Sequence, residues 1–221
     1  VFDVFSGTSL GLQNVTVTGG QTVGGNDGGG VRSLGTLAVA DSTLTGNSTD
    51  ANGGAIYTAA TGVASTLSGN ITATDAALTV SNAAVYPAQP GFLILVGNEQ
   101  MRVEAINGAV FSVTRTVNGS TATVHSAGAK VSVVDMSLIN ATVVTNNADF
   151  GAGVFNDGGA VVITGSSVTS NVATTDGGGV YNDRTATLNV LGSTLVSNSA
   201  GRDGGAEARH QGLIEAEIVQ G

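Results

Sequence analysis

Val161-Val-Ile163 with Val168-Thr-Ser-Asn171, and Leu188-Asn-Val190 with Leu195-Val-Ser-Asn198, are one pattern written twice at a displacement of 27. The first two apolar members of each triplet are two residues apart, so they point to the same side of an extended strand. The third member follows after a short gap, and a polar residue stands three positions beyond it. The pattern recurs outward from this pair. Leu10, Leu12 and Val17 return as Leu37, Val39 and Leu44 at the same displacement, and Met136, Leu138 and Val143 stand 25 before the Val161 set. The polar position is Gly20, Asn47, Asn146, Asn171 and Asn198 in turn. A glycine-rich corner comes next, at Asp27-Gly-Gly-Gly-Val31, Gly53-Gly54-Ala55-Ile56, Gly151-Ala-Gly-Val154 and Asp176-Gly-Gly-Gly-Val180.

A period near 27 with three short strands and tight corners is one turn of a parallel β-helix. No single turn can bury its apolar side, so stacking supplies the core. Leucine-rich repeats need a denser leucine consensus, ankyrin and tetratricopeptide repeats need helices, and a β-sandwich gives no reason for a fixed displacement. The expected fold is therefore all-β, a right-handed parallel β-helix of about five rungs. Asn is expected at the corners because it tolerates the left-handed conformation and because stacked amides can form ladders. The glycine triplets are not phosphate loops, since no Lys-Ser/Thr follows them and no helix begins there.

Composition agrees with this reading. The chain has 221 residues, 34 glycines and 2 prolines, which excludes collagen. Charged residues are only 10% and the mean hydropathy is positive, the reverse of a disordered chain. Aromatics are 4%, so the core must come from Val, Leu, Ile and Ala. The net charge is −9 and Lys130 is the single lysine, which argues against nucleic acid and anionic membrane surfaces. No apolar run approaches a membrane span. There is no cysteine, hence no disulfide or thiolate metal site. Val1 is not an initiator methionine, and the chain is expected to be a processed or excised segment.

Gly53-Gly54-Ala55-Ile56, with Leu44-Thr-Gly-Asn47, Val168-Thr-Ser-Asn171 and Leu195-Val-Ser-Asn198, resembles the repeats of polymorphic outer-membrane-protein-type surface β-helices. Leu or Val stands here where that family carries Phe, so the likeness is to the broad superfamily, over 1–62 and 135–206. It implies a long secreted or surface-anchored passenger with an adhesive or structural role.

Leu44 and Val143 hold equivalent positions at a separation of 99, and removing one period of 27 leaves a surplus of 72 that belongs to no rung. The expected organisation is β-helix over 1–58, an inserted β-rich domain over 59–134, and β-helix over 135–221 with a degenerate charged end. Asn107-Gly108 and Asn118-Gly119 read as hairpin turns in the insertion, between strands Phe92 to Val96, Met101 to Ile106 and Val110 to Val117. The stretch from Ile71 through Tyr86-Pro, Leu95-Val-Gly-Asn-Glu and Thr114-Arg-Thr-Val-Asn-Gly to His125 resembles a small β module of phage-tail and large bacterial surface proteins, which implies a structural or adhesive role. The return strand is read over Val131 to Leu138. At the C-terminal end, displacements of 27 or 25 both carry Glu215 into an inward position. That stretch reads as a polar cap, a register slip or an interface.

Chemistry-bearing residues are sparse. His125 and His210 have no repeated partner, and no nucleophile elbow is present. Asp157 and Asp183 are 26 apart, and paired carboxylates can serve a glycosidase, but Arg184 is the one cation beside them. They read as corner residues. Asp149, Asp176 and Asp203 recur at 27 before glycine corners, where calcium is allowed but not demanded. No catalytic, cofactor or metal residue is assigned, and no cofactor is expected. Sequons at Asn14, Asn47, Asn70, Asn118 and Asn140 are what a Thr-rich chain produces by chance. The expected function is a non-enzymatic extracellular or cell-surface module, prokaryotic, part of a filament, stalk or adhesin. Its expected partners are surface glycans and further turns of solenoid, by head-to-tail self-association or covalent continuation. The alternative is a carbohydrate-active β-helix, a polysaccharide binder, lyase or hydrolase of tailspike type.

Overall fold

The computed structural model describes residues 1–59, 62–209 and 213–218, the last two strands (207–209 and 213–218) by backbone alone. The chain divides into two units, Val1–Thr61 with Asp135–Gly221, and Gly62–Val134.

The first unit is a parallel β-helix with four strand stacks rather than the three expected. Stack I runs Phe2–Val4, Val31–Ser33, Ile56–Thr58, Val154–Asn156, Val180–Asn182 and Glu207–Arg209. Stack II runs Ser9–Gln13, Thr36–Ala40, Met136–Ile139, Ala160–Thr164 and Thr187–Val196, with Leu213–Ile218 paired onto the last. Stack III runs Thr16–Thr18, Thr43–Thr45, Thr142–Val144, Ser167–Thr169 and the second half of Thr187–Val196. The unforeseen stack IV is short: Gln21–Thr22, Ser48–Thr49, Asn147–Phe150, Val172–Asp176 and Ser199–Ala200. Its strands follow the Asn positions and carry mostly small polar side chains, so no apolar alternation announces them.

The triplets pair as the period requires. Leu10, Leu37, Met136, Val161 and Leu188 lie in one register column, and Val17, Leu44, Val143, Val168 and Leu195 in another. Leu37, Leu44, Met136, Val143, Val161 and Val168 are fully buried in one continuous core. Each such side chain contributes roughly 1.5–3 kcal/mol on burial. Stacks I and II are six strands deep, one more than the five rungs expected. The sixth strand of stack I pairs at a displacement of 27, and that of stack II at a displacement of 26. The latter pairs Leu188 with Ile214 and Val190 with Ala216, and gives Glu215 the alternate position beside Asn189. Neither 25 nor 27 finds this register.

The corners assign different work to neighbouring residues. Left-handed backbone falls at Asn14, Asp41, Asn140, Gly165 and Gly192 between stacks II and III, and at Gly19, Gly46, Thr145, Ser170 and Ser197 after stack III. The repeated Asn residues are therefore not the left-handed ones, as expected from sequence; the residue before each of them is. At the corner leading into stack I, Gly53 takes φ +73°, and a Cβ on Gly54 would meet Asn147 O at 2.5 Å and Ala152 O at 2.6 Å. Backbones of successive turns approach too closely there for any side chain.

The second unit is an antiparallel sheet ordered Ala64–Thr66, Lys130–Val133, Leu93–Val96, Glu99–Asn107, Val110–Thr114, Ala77–Thr79. A bridge between Leu67 and Val80 joins its two ends, so the sheet closes into a small barrel. Phe111, Ile94, Met101, Leu67 and Val131 fill its own core. Tight hairpins lie at Gly97-Asn98 and Gly108-Ala109. Asn118-Gly119 is no hairpin: Val117–Gly119 is a 3-10 turn with Asn118 left-handed at φ 52°. The expected return strand Val131 to Leu138 is two strands, Lys130–Val133 in the barrel and Met136–Ile139 in the solenoid. Among the described residues no helix is long and apolar enough to cross a membrane.

Candidate functional site

The outward position of stack I carries Asp3, Arg32, Tyr57, Phe155 and Tyr181 in one register column. Strand spacing near 4.8 Å brings their rings face to face. Tyr57 and Phe155 stack with centroids 5.6 Å apart, Phe155 and Tyr181 at 4.7 Å and 9°, and Phe150 meets Tyr181 edge-on at 5.7 Å. Tyr57 Oη donates to Asp157 Oδ2 at 2.7 Å. Burial, and then this carboxylate, push the Tyr57 phenol well above its ordinary pKa. Burial, with Asp183 and Asp176 nearby, raises Tyr181 too. Phe155, with a ring against each of its faces, has none for a sugar.

Asp157 and Asp183 do end successive rungs, as the spacing of 26 predicts. Their amides donate to Thr58 O and Asn156 O, at 2.8 and 2.9 Å. Asp157 is exposed and engaged by Tyr57, and Arg184 is exposed beside Asp183.

The three Asp–Gly corners are not equivalent. Asp176 pairs with Asp203, but opposite Asp176 on the preceding rung stands Phe150, not Asp149. That corner is one residue shorter, so Val154 meets Val180 at a displacement of 26. Asp176 receives Arg202 Nη2 at 2.6 Å, Arg202 Nε at 3.2 Å and the Asp203 amide at 3.1 Å. Asp149 accepts from Thr174 Oγ1. Among the described residues no group of three or more His, Asp or Glu gathers as metal ligands would. Arg202 was legible in principle, since it stands 26 after Asp176.

The Asn positions form the ladder expected of them. Asn47 Nδ2 donates to Asn146 Oδ1 at 3.0 Å, Asn146 to Asn171 at 2.9 Å, and Asn171 to Asn198 at 2.9 Å. Each Oδ1 also accepts the backbone amide of the preceding rung, beginning with Gly20 N to Asn47 at 2.9 Å. Buried amides must find partners, and here the repeat provides them. The Asn47 sequon lies inside this ladder, buried from any modifying enzyme. A second column reads Ser33, Thr58, Asn156, Asn182, with Asn156 Nδ2 donating to Asn182 Oδ1 at 2.8 Å.

His125 lies in the barrel against Glu99, a pairing the sequence did not suggest. Glu99 is buried, and its carboxylate takes Arg115 Nε at 2.7 Å, Arg115 Nη2 at 2.6 Å, His125 Nε2 at 2.9 Å and the Thr123 amide at 3.1 Å. Burial alone favours the neutral acid; the Arg115 and His125 hydrogen bonds and the Thr123 amide outweigh it and hold Glu99 below its usual range. Arg115 also donates to Thr72 O and to Thr123 O, the latter at 2.6 Å. A catalytic triad sets its carboxylate and its nucleophile on opposite imidazole nitrogens. Here Nε2 faces both Glu99 and Thr123 Oγ1, the latter at 3.3 Å. The arrangement ties strands together rather than relaying a proton. His210 lies outside the described residues.

No family model and no curated protein matches this sequence. The surface-repeat type indicated by Gly53-Gly54-Ala55-Ile56 thus stands only at the level of a parallel β-helix. Solved structures similar to this chain include the Pseudomonas phage phi297 tailspike gp61, at 15% identity and TM-score 0.39 over 83% of this chain and 33% of that one. Another is the Gp54 tailspike of Acinetobacter baumannii bacteriophage AP22, in complex with A. baumannii capsular saccharide, at 11% identity, TM-score 0.31, over 93% and 41%. The tailspike gp49 of Pseudomonas phage LKA1 is similar at 10% identity, TM-score 0.29, over 94% and 42%. The chain spans between a third and about two fifths of the length of these proteins.

Proposed function

We propose that this chain is a non-enzymatic structural segment of an extracellular or cell-surface fibre, stalk or adhesin of the surface β-helix type, prokaryotic in origin. The observation that carries the reading is the Asn47–Asn146–Asn171–Asn198 ladder. Together with the Tyr57–Phe155–Tyr181 stack, it commits the amides and rings of the solenoid to holding one turn to the next. The carboxylates that a hydrolase or lyase would need are engaged in the same way, Asp157 by Tyr57 and Asp176 by Arg202. Calcium at the remaining Asp corners would stiffen them but is not required. The first turn leaves Phe2 and Phe5 45% and 64% exposed beside strands paired on one side only. This supports stacking of a further turn there, from the same polypeptide or from another copy.

A second reading keeps the same scaffold and adds glycan contact. One observation favours it: Arg32, Tyr57, Asp157, Tyr181 and Arg202 gather on one side of the solenoid. Surface glycans are the partner such a side would meet. Incubation with neutral and acidic polysaccharides tests the main reading. Glycan retention without new reducing or unsaturated ends is expected; catalytic release of either by the purified chain would overturn it.

A further inference from the structure

The outward positions of stack III are unlike those of the neighbouring stacks. Thr16, Thr43, Thr142, Ser167 and Thr194 form one column, and Thr18, Thr45, Val144, Thr169 and Val196 form a second. Eight of these ten side chains carry a hydroxyl and none carries a charge. Strand propensity alone does not account for this, because other outward columns of the same solenoid are mixed. That of stack I holds Asp3, Arg32 and three rings, and that of stack IV holds Gln21, Ser48, Asn147, Val172 and Ser199. All ten side chains of stack III reach solvent. Among the described residues, Thr45 is the one hydroxyl of the eight with a protein partner, Thr145 Oγ1 at 3.0 Å.

Both edges of this face are pinned. Where the chain enters stack III, Ser42 Oγ accepts the amide of Val15 at 3.1 Å, Ser166 Oγ that of Ala141 at 3.1 Å, and Ser193 Oγ that of Ser166 at 3.0 Å. Each of these buried hydroxyls also donates to its own turn, to Ala40 O, Thr164 O and Leu191 O. Where the chain leaves stack III, the Asn ladder fixes the other edge. No register shift interrupts the pairing between the two edges. The hydroxyls therefore repeat at about 4.8 Å along the solenoid axis, and the two columns stand about 6.7 Å apart, two residues of extended rise. Thr is stiff at χ1, so its hydroxyl and methyl repeat with the backbone.

We infer that this face binds ice. The prism face of hexagonal ice repeats its water oxygens on a rectangle of nearly these sides, so successive rungs meet lattice positions in step. Fixing a liquid water at a protein surface costs entropy, but water in ice has already lost that freedom. Each hydroxyl then adds a hydrogen bond and each methyl a close contact, and a rigid array sums them without ordering itself first. A charged side chain would organise its own hydration against the lattice, and none stands on this face. The face is lateral, so a further turn at either end would lengthen it rather than cover it. The inference is independent of any glycan contact on stack I.

The test is ice-affinity partitioning of the full chain. An ice shell is grown slowly from dilute solution, and protein held in the ice is compared with protein left in the liquid, with serum albumin as the inert control. Enrichment in the ice is expected for this chain and exclusion for albumin. A single ice crystal grown in its presence should show hexagonal facets, because planes that hold protein stop advancing. Thr142→Tyr, at the centre of the face, should fall to the albumin level while its circular dichroism stays that of the unaltered chain. Val144→Lys, which sets a charge on the same face, should show the same loss. Ala38→Tyr, at an exposed outward position of stack II, should partition as the unaltered chain does. Exclusion of the unaltered chain to the albumin level, with crystals that stay round discs, overturns the inference. So does enrichment that Thr142→Tyr and Val144→Lys both leave unchanged.

Discussion

Asn146 touches three rungs at once: its Oδ1 accepts from Asn47, and its Nδ2 donates to Leu44 O and Asn171 Oδ1. Asn146→Ala leaves several buried donors and acceptors without partners, at about 1–3 kcal/mol for each group stranded. Chemical denaturation should show a loss of at least about 2 kcal/mol, and a smaller loss for Asn198→Ala at the half-buried end of the ladder. A change within about 0.5 kcal/mol, typical of surface substitutions, would mean the ladder holds nothing together. The second column has a flaw that can be mended. Thr58 Oγ1 and Asn156 Oδ1 are buried on adjacent rungs without hydrogen-bond partners. In the other rungs the inward residue donates to its own corner: Ser33 to Gly35 O, Asn156 to Gly159 O, Asn182 to Ala186 O. After Thr58 that corner is replaced by the start of the insertion. Thr58→Asn places a donor below Asn156 and should stabilise by roughly 1 kcal/mol, read as a raised denaturation midpoint. The Asn positions were legible in the sequence because they repeat. The left-handed residue before each was not, because Gly, Thr and Ser all occupy it and no residue type marks the geometry.

At the scale of elements, the barrel is locked by Glu99. Removing the charge by Glu99→Gln strands a mostly buried Arg115 and should cost about 3–5 kcal/mol. The pH dependence has a definite sign. Glu99 is held below its unfolded pKa, so its contribution is complete above that value, near 4.3, and is lost as pH falls through the lower folded value. Thermal melts of the barrel should therefore weaken in that acid range, and the Glu99→Gln variant should lose this part of the dependence. The surplus of chain between two equivalent rung positions, Leu44 and Val143, 99 apart, was readable in the sequence, and so were three strands within it. The barrel's closure was not, since the two closing strands, Ala64–Thr66 and Ala77–Thr79, are three residues each and no tight turn links them. Nor was the Glu99–Arg115–His125 cluster, whose members lie 16 and 26 residues apart with no period to link them. The solenoid does not need the barrel for its register: Leu37 pairs with Met136 and Leu44 with Val143 directly. Replacing 62–134 by a short Gly/Ser linker should leave a single cooperative β transition by circular dichroism. Its disappearance would show the insertion to be part of the core.

At the scale of the molecule, stacking is what the repeat achieves, and it brings together residues far apart in sequence. The fold class could be read from three apolar positions and one polar position per turn. The depth of stack II could not, because its last register depends on a displacement of 26 that neither neighbouring value anticipates. The fourth strand stack stayed hidden for a different reason, its lack of apolar alternation. With charge −9 and one lysine, the whole chain should show no retention on immobilised polyanions at physiological salt; salt-dependent retention would reveal a cationic face. Residues 99 apart in sequence are neighbours across one strand spacing. Side-chain-resolved NMR reads this directly, through contacts between Leu44 and Val143 methyls and through the carboxamide protons of Asn47 and Asn146. A parallel stack predicts cross-peaks for both pairs and slow solvent exchange of the Asn47, Asn146 and Asn171 carboxamides. Rapid exchange of all three, with no contact across either pair, would contradict it.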